Sequence, residues 1–449
     1  MDSIEDLLEW DRNHYWHAFT QMADYEPLLI EEAEGVWLYD HTGRQLLDGV
    51  SSMWCNVHGH RHPKIDEAIQ EQLKKVAHVT GLGMSNSTSI KLARRLVEIS
   101  PSALDCVFFS SDGSSAVEVA LKMAFQYWKQ KENPDTKRDL FLAVGNAYHG
   151  DTLGSVSVGG VTRFHAMFDP LLFQVARGPC PDSYRLPKHV EQEEACEHYL
   201  ALYEELFERF HERLAAIILE PLVQGAAGMV MHPPGFLKGL RELATKYGVL
   251  LIADEIAVGI GRTGEMWACD WEDVKPDFLC TGKGLTGGYL PVAATLTTRE
   301  VWNAFLGEYS ESKSFFHGHT FGGNPLGSAA AIATLEIFET EQTLANVKSM
   351  GAALELCLQP LLDHPNVGDV RRTGLMAAVE LVENKATKTG FPWAERKGHQ
   401  VCEAAMKKGV WLRPLGNVVV IMPPLCVKAE HVEQIGKAVR EAVQATSWY

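Results

Sequence analysis

The chain has 449 residues, 46% hydrophobic and 22% charged, an ordinary globular composition with enough length for a large core and a smaller second unit. Its formal charge of -17 leaves no excess of Lys and Arg to neutralise phosphates, which argues against a nucleic-acid or anionic-membrane partner. Nine cysteines without a C-x-x-C pair remove the usual zinc and dithiol signatures and fit reduced thiols in a cytoplasmic protein, while the acidic first residues lack the apolar region of a signal peptide and nothing approaches a membrane span.

In chain order, Gly35-Val36-Trp37-Leu38-Tyr39-Asp40 followed by Gly43 predicts a hairpin near the start. Trp54, in Ser51-Ser52-Met53-Trp54-Cys55-Asn56, is by itself more often a core residue than a ligand-facing one. From about 106 to 298 short apolar runs alternate with amphipathic stretches, the pattern of a mostly parallel sheet covered by helices. Strands are expected at 107–110, 140–144, 215–219, 249–253 and 278–281, and the acidic stretch 179–212 reads as an exposed loop and helix. The expected organisation is residues 1–60 as one part of a small domain, 61–334 as the large domain, and 335–449 as the rest of the small one.

Polar and glycine residues follow most of these runs at once: Asp112-Gly113-Ser114, Tyr148-His149-Gly150-Asp151, Glu220-Pro221, Asp254-Glu255 and Gly282-Lys283-Gly284. In open α/β sheets ligands sit beyond the carboxyl ends of the strands, so these groups converge. Gly113 and Ser114 open a helix whose free N–H groups and dipole suit an anion, and Ser115 with Glu118 has the spacing of a capping box. The run Leu250-Leu251-Ile252-Ala253 ends in two carboxylates, which need a cation if buried. A protonated pyridine nitrogen would serve, and so would an ion pair with Arg262. Lys283 follows Asp254 by 29 residues on a glycine-flanked turn, where partial desolvation would free its amine; a solvated turn lysine is the plain alternative. Tyr148 offers a ring for stacking or simply sits in a turn. His317 and His319 are two apart with no helix around them, so a metal site is not expected. Arg413, between the apolar Val410-Trp411-Leu412 and Pro414, is placed either for a substrate carboxylate or for a structural salt bridge.

Taken together, Ala253-Asp254-Glu255-Ile256, Gly259, Gly261-Arg262-Thr263-Gly264, Pro276-Asp277 and Gly282-Lys283-Gly284 resemble the signature of the class III aminotransferases, a likeness that covers nearly the whole chain. The resemblance implies an α/β fold, the pyridoxal-phosphate transferase fold type I: a large domain with a mostly parallel seven-stranded sheet covered by helices, and a smaller α+β domain from both chain ends. It further implies pyridoxal 5′-phosphate as cofactor, with Gly113 and Ser114 on its phosphate, Tyr148 against its ring, Asp254 on its nitrogen, and Lys283 as Schiff-base partner and catalytic amine. Gly318, His319 and Thr320 would come from the second subunit of a homodimer, with Thr320 on the phosphate. Phe19, Trp54, Tyr148, Gly318 and Arg413 would face the substrates, Arg413 holding a carboxylate.

Within the class the chain is similar to the biotin-pathway branch that aminates 8-amino-7-oxononanoate, on Ser51-Ser52 with Trp54, His58-Gly59-His60, Tyr148-His149-Gly150-Asp151-Thr152, Val223-Gln224-Gly225 and Arg413-Pro414. It departs from the members that use S-adenosylmethionine as donor at Phe19, Met53 and Gly318-His319-Thr320, and there looks more like a second branch that uses lysine. Ala257 stands where many class III enzymes carry glutamine. The expected substrates are thus 8-amino-7-oxononanoate with S-adenosylmethionine or lysine. Alternatives are another ω-amino acid aminotransferase working with pyruvate or 2-oxoglutarate, or a phosphate-binding scaffold protein without cofactor.

Overall fold

The computed structural model describes residues 2–448. Its centre is a seven-stranded sheet in the order Leu104–Ser110, Ala293–Thr298, Phe278–Thr281, Leu250–Asp254, Leu214–Leu219, Leu140–Val144, Ala176–Gly178. All strands run parallel except Ala293–Thr298, which is antiparallel to both neighbours.

The middle strands are buried throughout, and apolar except for the terminal Asp254, because both faces are covered. Side chains alternate across the sheet. Ile218 and Ile252 pack under the Gly113–Gln130 helix, while Ile217, Leu219, Leu251 and Ala253 pack under the Ala195–Phe210 and Phe236–Lys246 helices. The acidic 179–212 stretch is a loop and a helix, although Tyr199, Tyr203 and Phe207 anchor that helix in the core.

All five expected strands are present, and two others belong to the same sheet. Ala293–Thr298 (Ala-Ala-Thr-Leu-Thr-Thr) carries one large apolar side chain, and Ala176–Gly178 is three residues long at an edge, so neither has an apolar run to read.

The chain ends build two further sheets. Ile30–Glu34, Trp37–Asp40 and Gln45–Asp48 form a meander that Val410–Trp411 joins in parallel, so the two ends share one sheet. Val367–Thr373, Met376–Leu381, Val418–Ile421 and Arg413–Leu415 form an antiparallel sheet. Residue 335 lies within the helix Pro325–Thr340, which is buried on most sides against the helices Pro63–Leu73 and Ser87–Ile99. All nine cysteines are free thiols, and among the described residues no helix is long and apolar enough to cross a membrane.

Candidate active site

The carboxyl ends of the parallel strands bring five polar segments together, as the sheet topology requires. Gly113–Gln130 starts directly after the first strand, capped by Asp112, whose carboxylate accepts from Ser115 N–H at 2.9 Å and Ser115 Oγ at 2.8 Å. The expected Ser115/Glu118 capping box does not form. Asp112, three residues ahead of Ser115, supplies the stronger acceptor, and Glu118 instead accepts from Thr152 Oγ1 at 2.6 Å and Gly154 N–H at 2.9 Å. Ser114 Oγ lies 2.9 Å from Thr152 Oγ1 and 3.1 Å from Ser155 Oγ, so hydroxyls cluster where the helix N–H groups are free. Two glycines keep this seat open. A Cβ on Gly150 would stand 2.3 Å from Ser114 Oγ, and one on Gly113 would stand 2.8 Å from the Ile256 side chain.

Asp254 ends the Leu250–Asp254 strand, 3% exposed, with Oδ2 2.7 Å from His149 Nδ1 and Oδ1 accepting Ile256 N–H at 3.1 Å. Among the described residues no Arg or Lys forms an ion pair with it. Arg262 is fully buried elsewhere, donating to Pro423 O, Ser51 Oγ and Asn56 O, which removes the Asp254–Arg262 alternative. Glu255 turns to the opposite side and accepts from the N–H groups of Ala268 and Cys269, with burial pushing its carboxyl up to about 7.

Lys283 follows the neighbouring strand with φ of 41°, held in the left-handed region by the Gly282–Gly284 turn. Its amine lies 5.2 Å from the Trp54 ring centroid. Burial lowers its pKa from the ordinary lysine value, while the charges of Asp254 and Glu220 pull it back up. Trp54 reaches this position from a strained turn in which Ser51, Ser52 and Trp54 all have positive φ. The ring rests on Gly225, where an added Cβ would come within 3.2 Å of it. Tyr148 donates its hydroxyl to Asp151 at 2.8 Å, stacks on His165, and meets Phe164, which in turn touches the exposed Phe19.

The structure therefore brings Gly113, Ser114, Tyr148, Asp254, Lys283 and Trp54 to one end of the sheet, with Phe19 at the rim of the Tyr148 cluster. Gly318, His319 and Thr320 lie apart from them in the single chain. Their segment runs along the outside of the Gly113–Gln130 helix, where Gln126 donates to Ser314 O at 3.1 Å and His317 Nδ1 meets Lys122 Nζ at 3.0 Å; Gly318 and Thr320 are exposed. Arg413 begins the edge strand Arg413–Leu415 opposite Val420, and Val418 and Val420 share the apolar cluster of Trp54. Cross-strand partners point to one face, so Arg413 leaves the sheet on the Trp54 side, with no carboxylate paired to it among the described residues.

Two site residues, His149 and Glu220, carry no role that the sequence motifs alone assign. Their one sequence signal is position: each sits in a polar segment directly after a strand.

The family aminotransferase class III matches residues 19–443, and the chain belongs to it. Over its full length it is similar to adenosylmethionine-8-amino-7-oxononanoate aminotransferase of Geobacter sulfurreducens, with 48% identity across 98% of both chains, and to that of Aquifex aeolicus, with 48% identity across 98% of this chain and 97% of the relative. The crystal structure of the Methanocaldococcus jannaschii enzyme of that name matches at a TM-score of 0.93 and 42% identity, covering 98% of this chain and 99% of that one. An (S)-enantioselective omega-transaminase from Thermomicrobium roseum matches at the same TM-score with 33% identity, covering 98% of each chain. The fold is therefore that of the class III pyridoxal-phosphate transaminases, an α/β architecture with a mostly parallel central sheet.

Proposed function

We propose that this aminotransferase converts 8-amino-7-oxononanoate to 7,8-diaminononanoate in biotin synthesis, using pyridoxal 5′-phosphate and an amino donor that is S-adenosylmethionine or lysine. The observation that carries the substrate is the full-length likeness, at 48% identity, to relatives whose names state that reaction. The omega-transaminase with the same TM-score indicates that the fold alone does not choose among amines. Phe19 and Met53, the departures that point to lysine, leave the donor to experiment.

The residues fit the cofactor. Gly113 N–H and the Ser114 hydroxyl would take its phosphate in the seat that Gly150 keeps open, Tyr148 would lie against its ring, and Asp254 would hold its ring nitrogen protonated. When bound, the cofactor supplies an aldehyde that accepts the amino group and an electron-withdrawing ring that acidifies the adjacent C–H.

The chain supplies the rest. His149 holds Asp254 in one orientation from the buried side. Lys283, whose amine burial holds below the ordinary lysine value, anchors the cofactor between turnovers and moves the proton at the substrate carbon that bears nitrogen. Trp54 keeps water off that amine, and Arg413 binds the carboxylate of the acceptor. We further propose a homodimer in which His319, Thr320 and Gly318 complete the neighbouring subunit's site, with Thr320 on the phosphate. Nine unpaired thiols support a cytoplasmic setting.

The test is a single-turnover experiment on the purified holoenzyme. S-adenosylmethionine and lysine are added separately while the violet absorbance of the bound cofactor is followed, then 8-amino-7-oxononanoate is added and the product identified by mass. Bleaching by one donor, with 7,8-diaminononanoate formed, is the expected result. Formation of no diamine with either donor would overturn the substrate assignment.

A further inference from the structure

Glu220 follows the Leu214–Leu219 strand directly and is 4% exposed, yet among the described residues no cation forms an ion pair with it. Its two oxygens are both engaged by backbone. Oε1 accepts Tyr148 N–H at 3.0 Å and Oε2 accepts Gly225 N–H at 2.9 Å. These N–H groups belong to different loops, one leaving the Leu140–Val144 strand and one following Glu220 itself. Each carries or supports an aromatic wall of the site: Tyr148 directly, and Trp54 through the Gly225 surface on which its ring rests. A single carboxylate thus fastens the two walls to the rigid end of a central strand.

We propose that Glu220 is a positioning residue that fixes Tyr148 and Trp54 relative to Lys283 and supplies a second buried negative charge beside the Lys283 amine. The inference rests on Lys283 being the reactive amine of the proposed function. The ionisable groups around Glu220 are Lys283, His149, Asp254, Tyr148 and Cys180, and those around Lys283 are Asp254, Glu220, Asp151 and Cys55. Burial lifts the Glu220 carboxyl to about 7, against the pull of the two N–H groups, so its charge is held close to the working range.

Two substitutions separate position from charge. Glu220→Gln keeps the shape but removes the charge and turns one acceptor into an NH₂ group facing an N–H donor. Glu220→Asp keeps the charge but is one methylene too short to reach both N–H groups. The first readout needs no turnover: the full-length chain freed of cofactor is acylated with a small anhydride across a pH series, and Lys283 modification is followed by mass spectrometry. Without the Glu220 charge the Lys283 ammonium loses support, so the E220Q midpoint falls by about half a pH unit or more, while E220D keeps the wild-type midpoint. The second readout is steady-state kinetics of the holoenzyme, in which both variants raise KM for the amino acceptor roughly tenfold, the effect of one lost charged hydrogen bond, with a smaller change in kcat.

Equal Lys283 midpoints in wild type and E220Q would overturn the charge role, and a wild-type KM in E220D would overturn the positioning role. If E220Q does not fold, as judged by circular dichroism, E220D decides: raised KM with an unmoved midpoint supports the inference, and wild-type KM overturns it. Failure of 8-amino-7-oxononanoate as substrate would strike the functional assignment alone, because the acylation series uses no substrate.

Discussion

His149 Nδ1 lies 2.7 Å from Asp254 Oδ2, and the two residues are 2% and 3% exposed. His149 Nε2 has no hydrogen-bond partner among the described residues, so the ring is committed to the carboxylate on one side only. The pair comes from two strand ends, Asp254 terminating one strand and His149 in the loop after another. A buried carboxylate held this way presents a fixed negative edge to whatever binds above it.

Removing the ring should therefore act on both stability and cofactor retention. His149→Ala leaves Asp254 Oδ2 buried without its partner, a loss of about 1–3 kcal/mol that a thermal or urea melt would register. Asp254 would also be free to rotate, so cofactor affinity should fall roughly tenfold by equilibrium dialysis. Unchanged affinity would mean that His149 only fills space.

Lys283→Ala should abolish transfer in both half-reactions, by at least about 10³-fold, with the fold intact. Lys283→Arg should be no better, since a guanidinium keeps its charge and cannot act as the free amine. The measurement is the single-turnover spectrum with donor, and separately with acceptor. Near wild-type rates in either variant would remove Lys283 from the chemistry.

Gly150 has φ of +115°, and an added Cβ would meet Ser114 Oγ at 2.3 Å. Gly150→Ala should therefore push Ser114 out of the helix-end hydroxyl cluster and weaken cofactor binding by about tenfold, at a stability cost of roughly 1–3 kcal/mol from the strained backbone. Titration with inorganic phosphate and with the cofactor would both report it. Tight binding of either by the variant would place the anion elsewhere.

Much of this arrangement was legible because strand ends carry their chemistry in adjacent letters. Asp254, Lys283, Gly113 and Ser114 each follow an apolar run immediately, so finding the strand finds the residue. The roles of His149 and Glu220 are not legible in the sequence because their partners are remote: Asp254 is 105 residues from His149, and Tyr148 is 72 from Glu220. No local periodicity reports such a contact. The Ala293–Thr298 strand was hidden for a different reason, since small residues and threonines pack against the Gly113–Gln130 helix without an apolar signature. Arg262 shows the converse: nearness along the chain offers it as an alternative partner for Asp254, and the fold sends it elsewhere.

Burial of Glu255 gives a pH dependence whose sign can be worked out. Its carboxyl titrates at about 7 when folded, against an ordinary 4.5. Between those values the folded chain keeps a proton that the unfolded chain has released, so stability falls as pH rises from about 4.5 to about 7, and is then level as far as this group is concerned. The order of magnitude is about 3 kcal/mol. Urea melts across this window should show the decline, and Glu255→Gln should flatten it. A wild-type slope in that variant would assign the effect to other groups, Glu220 first among them, because burial raises it to the same range.

The Gly318-His319-Thr320 segment, in which Gly318 and Thr320 are exposed, supports a test of subunit sharing. If Thr320 serves the neighbour's phosphate seat, Thr320→Ala damages a site whose Lys283 is on the other chain. Lys283→Ala chains, which are inactive but carry Thr320, can then complement Thr320→Ala chains, which carry Lys283. In a mixed dimer one site has both residues intact and the other has neither. Random mixing makes about half of the dimers mixed, so activity should recover to about a quarter of the wild-type level. The mixture would be unfolded and refolded together, and its specific activity compared with each variant refolded alone. Activity no higher than the average of the two separate variants would mean that each chain builds its site from its own residues.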